Sequence, residues 1–117
     1  MPGRVIVSRE LADIFKILAH PDRVRLVEEL GHGEKDVTAI AHALGLPAPR
    51  VSQHLAALRS HRLVTDRRAG RQHFYRLTRP GMAGWILDAL PFLEVRGPIE
   101  GPAQLEEVRK LWAADHA

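Results

Sequence analysis

A mainly α-helical fold with one small β-hairpin is the fold class that the sequence predicts. Apolar residues recur at helical spacing in four segments before residue 60, which favours four helices. Two short runs that contain β-branched and aromatic residues then flank Ala69–Gly70, as expected for a hairpin. Two further helical stripes follow residue 80, so the predicted order is α-α-α-α-β-β-α plus a C-terminal helix.

The first two predicted helices meet at His20–Pro21. Ser8 is a suitable N-cap for the first helix. Pro21 suits the first position of the second helix, Asp22 favours the positive end of its dipole, and Gly31 is expected to end it. Their apolar faces hold Leu11, Ile14, Phe15 and Leu18 in the first helix, and Val24, Val27 and Leu30 in the second.

The third and fourth predicted helices enclose a short turn. Asp36 is a good N-cap for the third helix, which we expect over Val37–Leu44 with Gly45 at its end. The turn Leu46–Pro49 is stiff, and Pro49 fits the first position of the fourth helix. Two helices joined in this way and followed by a hairpin form a winged helix-turn-helix, whose second helix enters the major groove of DNA.

The fourth helix, the expected recognition helix, has a polar face. Its inward face holds Val51, Leu55 and Leu58. We expect the DNA-reading side chains to be Arg50, Ser52, Gln53 and His54. At 100° per residue Arg50 and Gln53 point away from the apolar face; Arg can pair with guanine and Gln with adenine. Ser52 and His54 lie on the flanks, where local capping or a contact at the edge of the core is the alternative for each.

The predicted hairpin carries a cluster of arginines. Its strands are expected over Leu63–Arg68 and Arg71–Leu77, with Gly70 as the second turn residue because glycine tolerates positive φ. A wing of this kind contacts phosphates or the minor groove, where arginine is favoured. The expected contacts are Arg67, Arg68 and Arg71.

The positive charge of the chain is concentrated in the same segment. Residues 50–79 hold eight Arg and one acid, Asp66, whereas the whole chain has a formal net charge of +3. Arginine forks onto phosphate oxygens and onto guanine edges. A merely solvated basic face is the alternative, but the coincidence with the helix-turn-helix pattern favours double-stranded DNA as the partner.

Composition excludes several other classes. The chain has no cysteine, so disulfide, thiolate-metal and thiol-redox chemistry are excluded. It shows no apolar run long enough to cross a bilayer and no signal peptide, which predicts a cytoplasmic protein without a membrane partner. No nucleophile, base and orienting group can be assembled from its motifs, so we do not expect an enzyme.

The C-terminal part is expected to form two units. Met82, Trp85, Ile86 and Ala89 follow a helical stripe in the fifth helix. Residues 94–103 are rich in Gly and Pro, which is typical of a linker. A last amphipathic helix would carry Leu105, Val108, Leu111 and Trp112, and would pack on the protein or bind a separate protein partner. We therefore expect a DNA-binding and dimerisation domain over 1–93, and a linker with a C-terminal helix over 94–117.

Three stretches carry a resemblance to a known family. The segments FKILAHPDRVRLVEEL, VTAIAHALGLPAPRVSQHLAALRSHRLV and RRAGRQHFYRL resemble the ArsR/SmtB family of bacterial winged-helix repressors, over about residues 9–90. The resemblance implies a homodimer on a palindromic operator, modulated or released by an effector. It also implies that the first and fifth helices pair across the two-fold axis. The dimerisation residues would then be Leu11, Ile14, Met82, Trp85, Ile86 and Ala89.

The effector sites known in that family do not carry over. The third-helix region Glu34–Ala41 has no cysteine, and the fifth helix has no histidine and Asp88 as its only acid. The chain has seven His, so nickel or zinc could still bind through a non-standard histidine and carboxylate site, although the sequence does not place one.

The sequence therefore favours a sequence-specific, DNA-binding transcriptional regulator, most simply a homodimeric repressor. A winged-helix module that binds another protein is one alternative. A nickel- or zinc-responsive regulator that uses histidines is the other. Affinity for duplex DNA that depends on sequence and falls steeply with salt distinguishes the first interpretation from a protein-binding module.

Overall fold

In the computed structural model, residues 2–93 form five helices and a three-stranded antiparallel sheet. The structure describes residues 2–93 and the single residues 103, 106, 107, 109 and 110. The elements are α1 (Pro2–Leu18), α2 (Pro21–Leu30), β1 (Lys35–Asp36), α3 (Val37–Leu44), α4 (Ala48–Ser60), β2 (Val64–Ala69), β3 (Gln72–Leu77) and α5 (Gly81–Leu87). This is the winged helix-turn-helix that the sequence predicts, with one additional strand.

Helix α1 is longer than expected. It begins at Pro2, so the expectation that Ser8 caps it is wrong. The Ser8 hydroxyl instead donates to the Arg4 carbonyl oxygen at 2.7 Å, a bond within the helix. The residues from Pro2 to Glu10 are all exposed, so the first half of α1 extends away from the core of the protomer.

Helix α2 starts and ends where the sequence predicts. His20 is its N-cap, with the ring Nδ1 accepting from the Asp22 backbone N–H at 3.1 Å, and Pro21 opens the helix. Gly31 follows the helix in a right-handed conformation with φ of −63°. The chain reverses at Gly33, whose φ of +129° lies in the region that favours glycine.

The helix-turn-helix is formed by local signals on both sides of the turn. Asp36 caps α3 by accepting from the Ala39 backbone N–H at 2.8 Å, as expected. Gly45 ends α3 in the left-handed conformation with φ of +67°, also as expected. Helix α4 begins at Ala48, so Pro49 occupies its second rather than its first position.

The wing is part of a sheet in the order β1-β3-β2. The hairpin register pairs Val64 with Leu77 and Ala69 with Gln72, so the two turn residues are Gly70 and Arg71. Gly70, with φ of +62°, is thus the first turn residue and not the second. Strand β1 was not predicted; it pairs Lys35 with Tyr75 and ties the base of the wing to the start of α3.

One hydrophobic core holds these elements together. Its fully buried side chains come mainly from α2, α3 and α4, and include Leu26, Val27, Ile40, Val51, Leu55 and Leu58. The hairpin contributes Val64, Tyr75 and Leu77 to the same cluster. Recognition helix and wing are therefore supported by shared buried packing, which a small domain needs for stability.

The C-terminal expectations are confirmed in part. Helix α5 is a short element that ends at Leu87, and Ala89 lies in the turn that follows it. The predicted C-terminal helix residues Leu105, Val108, Leu111 and Trp112 lie outside the described residues, as does most of the predicted linker. No helix among the described residues is both long and apolar enough to cross a membrane.

Candidate nucleic-acid interface

The outward face of α4 presents three of the four predicted reading residues to solvent. Val51, Leu55 and Leu58 are fully buried and fix the rotation of the helix about its axis. Arg50, Ser52 and Gln53 are exposed on the remaining surface. The side chains that could reach base edges thus stand on a helix whose opposite side is packed in the core.

His54 is not on this exposed face, contrary to the expectation. It is only 8% exposed, because α2 covers the edge of α4 on which it lies. Arg23 on α2 donates from Nε to His54 Nδ1 at 3.1 Å, and an Asp22 carboxylate oxygen lies 3.5 Å from His54 Nε2. The His20 ring meets the His54 ring edge-on with centroids 4.4 Å apart. His54 is therefore an anchor between α2 and the recognition helix.

Arg23 connects this anchor to a third element. While its Nε donates to His54, its terminal Nη1 donates to the Ile17 carbonyl oxygen near the end of α1 at 3.1 Å. Burial lowers the pKa of His54, and the electrostatic influence of His20 and Arg23 lowers it further, whereas Asp22 opposes this effect. The neutral ring is the form that accepts from Arg23, because a protonated imidazole has no free lone pair.

His20, Asp22 and His54 are also the group of metal-ligand side chains that the described residues bring together, with ligand atoms within 4.8 Å of one another. Two imidazoles and a carboxylate suit nickel or zinc in composition. The hydrogen bonds do not suit a metal, since the Nδ1 atoms of both histidines accept from N–H donors. A neutral imidazole then carries its proton on Nε2, where a metal would need the lone pair. In this arrangement the donor set does not fit a metal ion.

The wing holds Arg67 in a second network. Arg67 donates to both carboxylate oxygens of Glu34, with its Nε at 3.0 Å from each. Its guanidinium also stacks 4.5 Å over the Phe74 ring. This pairing lowers the pKa of Glu34 and raises that of Arg67. Arg67, expected beside Arg68 and Arg71 as a DNA contact, is already bound to the base of the wing.

Arg68 and Arg71 lie at the tip of the wing. Both are exposed, and neither makes a hydrogen bond or ion pair within residues 2–93. Arg71 occupies the turn itself, and Arg68 is paired with His73 in the ladder. These two guanidinium groups are therefore the uncommitted positive charges that the tip of the wing offers to a phosphate backbone.

Asp66 joins the recognition helix to the wing, a role that sequence analysis missed. Its Oδ2 accepts from Arg59 in the last turn of α4 at 2.9 Å and lies 2.6 Å from His73 Nε2 on β3. The bond to His73 and the contact with Arg59 lower the pKa of this carboxyl group. Its position as the one acid within the basic stretch of residues 50–79 was the available signal.

A second exposed surface, the apolar face of α1 and α5, lies apart from this interface. Phe15 and Trp85 stack with ring centroids 5.6 Å apart, and they border an open hollow of about 520 Å³. Leu11, Phe15, Trp85 and Phe92 are 43%, 55%, 42% and 71% exposed. Of the predicted dimerisation residues, Leu11, Trp85 and Ala89 are exposed, while Ile14, Met82 and Ile86 are partly buried against the core. Phe15 and Phe92 were not among the predicted residues.

Comparison with characterised proteins agrees with this geometry. The model of the bacterial regulatory protein, arsR family, matches residues 20–66. The chain is 41% identical over 88 residues to the HTH-type transcriptional regulator KmtR of Mycobacterium tuberculosis, a match that covers 75% of this chain and 68% of KmtR. It is 39% identical over 83 residues to the biofilm growth-associated repressor of Xylella fastidiosa, covering 71% of this chain and 72% of that protein.

Solved structures show the same architecture. The transcriptional repressor BigR from Xylella fastidiosa superposes with a TM-score of 0.69 at 33% identity, over 78% of this chain and 93% of that one. A homodimeric winged helix-turn-helix DNA-binding domain from Mycobacterium bovis, a possible ArsR-family regulator, superposes with a TM-score of 0.63 at 30% identity. That match covers 78% of this chain and 88% of the other.

The fold and its exposed polar helix define a winged helix-turn-helix regulator of transcription. The matches to KmtR and to the Xylella repressor span more than two thirds of each relative. The chain belongs to the arsR family of bacterial regulatory proteins.

The buried His54 predicts a pH dependence of stability. Its folded-state pKa is lowered below the unfolded value of about 6.5, so the unfolded chain binds the proton more readily. The free energy of unfolding should therefore fall as the pH drops from 7 to 5.5, and should fall less in His54→Gln, which keeps an acceptor for Arg23. Urea denaturation at a fixed chain concentration measures this, with His61→Gln as the matched exposed control. Equal falls in the unmodified chain and in His54→Gln would contradict the prediction.

Proposed function

We propose that the protein is a homodimeric repressor that binds a specific, palindromic operator in double-stranded DNA. The observation that carries the proposal is the exposed Arg50, Ser52 and Gln53 face of α4, together with the exposed Arg68 and Arg71 at the tip of the wing. KmtR is named as a transcriptional regulator and the Xylella relative as a repressor, which supports the same conclusion. We propose that the protein acts as a regulator and not as an enzyme. Because it would bind chromosomal DNA, it would act in the cytoplasm.

Base reading is assigned to the first turns of α4. Arg50 and Gln53 lie in the N-terminal half of the helix, which is the part that contacts base edges in helix-turn-helix proteins. Arginine pairs with guanine O6 and N7, and glutamine pairs with adenine N6 and N7. Ser52 has a hydroxyl that suits either a base or a phosphate. His54 drops out of the reading set, because it is bonded to α2.

Positioning on the phosphate backbone is assigned to the tip of the wing. Arg68 and Arg71 carry charges that no described side chain neutralises, whereas the charge of Arg67 is paired with Glu34. Phosphate contacts fix the register of a protein on the duplex but carry no sequence information directly. The wing therefore contributes affinity to all DNA, and α4 contributes the choice of sequence.

The dimer is assigned to the exposed apolar face of α1 and α5. Trp85, Phe15 and Phe92 together leave an aromatic patch in water, which a second copy would cover by a two-fold contact. The structural neighbour from Mycobacterium bovis is described as homodimeric. A two-fold dimer presents two α4 helices, so the operator would be palindromic. In this proposal residues 1–93 form the DNA-binding and dimerisation unit, and residues 94–117 are an appended segment.

Control by an effector is also part of the proposal. The described residues contain no thiol and no metal-ligand group whose hydrogen bonds suit a metal. A metal held by His20, Asp22 and His54 is therefore not the effector that the proposal favours. We expect zinc or nickel to bind weakly at those three residues.

The assignment of base contacts to α4 and phosphate contacts to the wing gives a testable prediction. Gln53→Ala or Arg50→Ala should cost roughly 1 to 3 kcal/mol on the operator and relax base preference at one position of each half-site. Arg68→Ala or Arg71→Ala should weaken binding to all sequences more evenly. Each should also lower the salt slope by about two per dimer, one for each lost phosphate contact. Titrations of operator and scrambled duplexes at several salt concentrations measure both effects.

Arg67→Ala is the matched control for the wing, because its guanidinium is paired with Glu34 in the free protein. It should change the salt slope less than Arg71→Ala does. Wing substitutions that altered base preference while Gln53→Ala left it intact would reverse the assignment. Unchanged DNA binding in all of these variants would favour a protein-binding module.

The dimer face gives a separate prediction. Trp85→Asp places a charge at the centre of the aromatic patch, and should weaken the dimer by about 2 kcal/mol or more, which is about 30-fold in dissociation constant. Sedimentation over a range of chain concentrations measures this. Ala43→Asp, on the exposed side of α3, is the control and should leave the dimer intact. A monomer for the unmodified chain at micromolar concentration would refute the assigned dimer.

A further inference from the structure

The segment of the chain that forms α4 and the wing contains a single acidic residue, and that residue has an unexpected position. Residues 50–79 hold eight arginines and one acid, Asp66. Asp66 lies on β2, on the strand that runs from α4 to the tip of the wing. A carboxylate on a surface that meets phosphates opposes binding by simple electrostatics. Its presence there needs a reason other than charge.

The contacts that Asp66 makes provide a structural reason for its position. A single oxygen, Oδ2, accepts from Arg59 of α4 at 2.9 Å and lies 2.6 Å from His73 of β3. Asp66 is directly opposite Tyr75 in the ladder, so His73 is its diagonal neighbour across the two strands. The His73 ring also packs against Tyr75 with centroids 4.5 Å apart. The carboxylate thus links the end of the recognition helix to both strands of the wing.

The covalent joint between the two elements is itself unusual. Only His61, Arg62 and Leu63 separate α4 from β2. Arg62 has φ of +60°, and it is the one non-glycine residue with positive φ among those described. A residue without glycine's freedom in that region costs of order 1 kcal/mol or more and persists only when neighbouring contacts hold it. The Arg59–Asp66 ion pair connects α4 and β2 across this short connection through their side chains.

We propose that Asp66 is a positioning residue that sets the angle between the recognition helix and the wing, so that both engage one half-site together. This inference rests on the proposed DNA-binding function. Its consequence is specific: Asp66 lowers affinity for DNA by its charge, but raises affinity for the operator by its two contacts. Removing it should therefore impair the discrimination between operator and other DNA.

Two substitutions separate the charge from the contacts. Asp66→Asn and Asp66→Ala remove the same negative charge, but the uncharged amide oxygen of asparagine can still accept hydrogen bonds. Charge alone predicts tighter binding by both variants, to the same degree and on every sequence. The positioning role predicts that Asp66→Ala binds the operator about tenfold more weakly, a loss of about 1.4 kcal/mol. It also predicts unchanged or tighter binding to scrambled DNA, with Asp66→Asn between Asp66→Ala and the unmodified chain.

Glu10→Gln is the matched control, because Glu10 is an exposed acid in the first half of α1, which extends away from the core. It should leave the ratio of operator to scrambled affinity unchanged. Thermal unfolding and circular dichroism of each variant distinguish lost positioning from lost fold. If Asp66→Ala is unfolded, the comparison passes to Asp66→Asn and to His73→Ala, which removes one of the two contacts without changing a carboxylate.

The outcomes distinguish this inference from the function on which it rests. Sequence-specific binding by the unmodified chain, together with a reduced operator-to-scrambled ratio in Asp66→Ala, supports the positioning role. Non-additive effects of Asp66→Ala and His73→Ala support it further. Equal tightening by both Asp66 substitutions overturns the positioning role and leaves the regulator function intact. Absence of sequence-specific binding by the unmodified chain overturns both.

Discussion

The attachment of the recognition helix to the rest of the domain is the constraint on which the other features depend. One side of α4 is fixed by Val51, Leu55 and Leu58, which are fully buried. The edge of α4 that faces α2 is fixed by the hydrogen bond from Arg23 to His54. A helix held by packing and by a directional bond cannot rotate freely, so its exposed side keeps one orientation. The reading face exists because the opposite face is immobilised.

Pairing with acids decides which arginines are available for DNA. Glu34 binds Arg67 with two oxygens, and Asp66 binds Arg59, so these arginines organise the base of the wing. Arg68 and Arg71 at the tip have no such partner within residues 2–93. The net positive charge of the segment therefore overstates the number of free cations. The arginines paired with acids thus stabilise the wing, and the unpaired arginines remain free to contact DNA.

Local signals were readable in the sequence, whereas contacts between distant residues were not. The Asp36 cap and the left-handed Gly45 follow from the residue types at the ends of α3, and both were predicted. Strand β1 has two residues and no periodicity, so no pattern could reveal it. The Glu34–Arg67 and Arg23–His54 contacts join residues 33 and 31 positions apart. These contacts decide which of the predicted DNA contacts remain free. The exposed face of α4 could therefore be predicted from the sequence, whereas the pairing of Arg67 and of His54 could not.

Helix α4 should therefore be fixed in the free protein before DNA binds. Amide hydrogen exchange tests this claim most directly, because it reports the free energy of opening at each residue. We predict that the amides of Val51, Leu55 and Leu58 exchange only through global unfolding, with the same protection as Leu26 and Ile40 in the core. Operator DNA should then add protection to the wing and to Gln53, but should not be needed to order the helix. Exchange of the α4 amides by local opening, at rates well above those of Leu26 and Ile40, would contradict the claim and indicate a helix that orders on DNA.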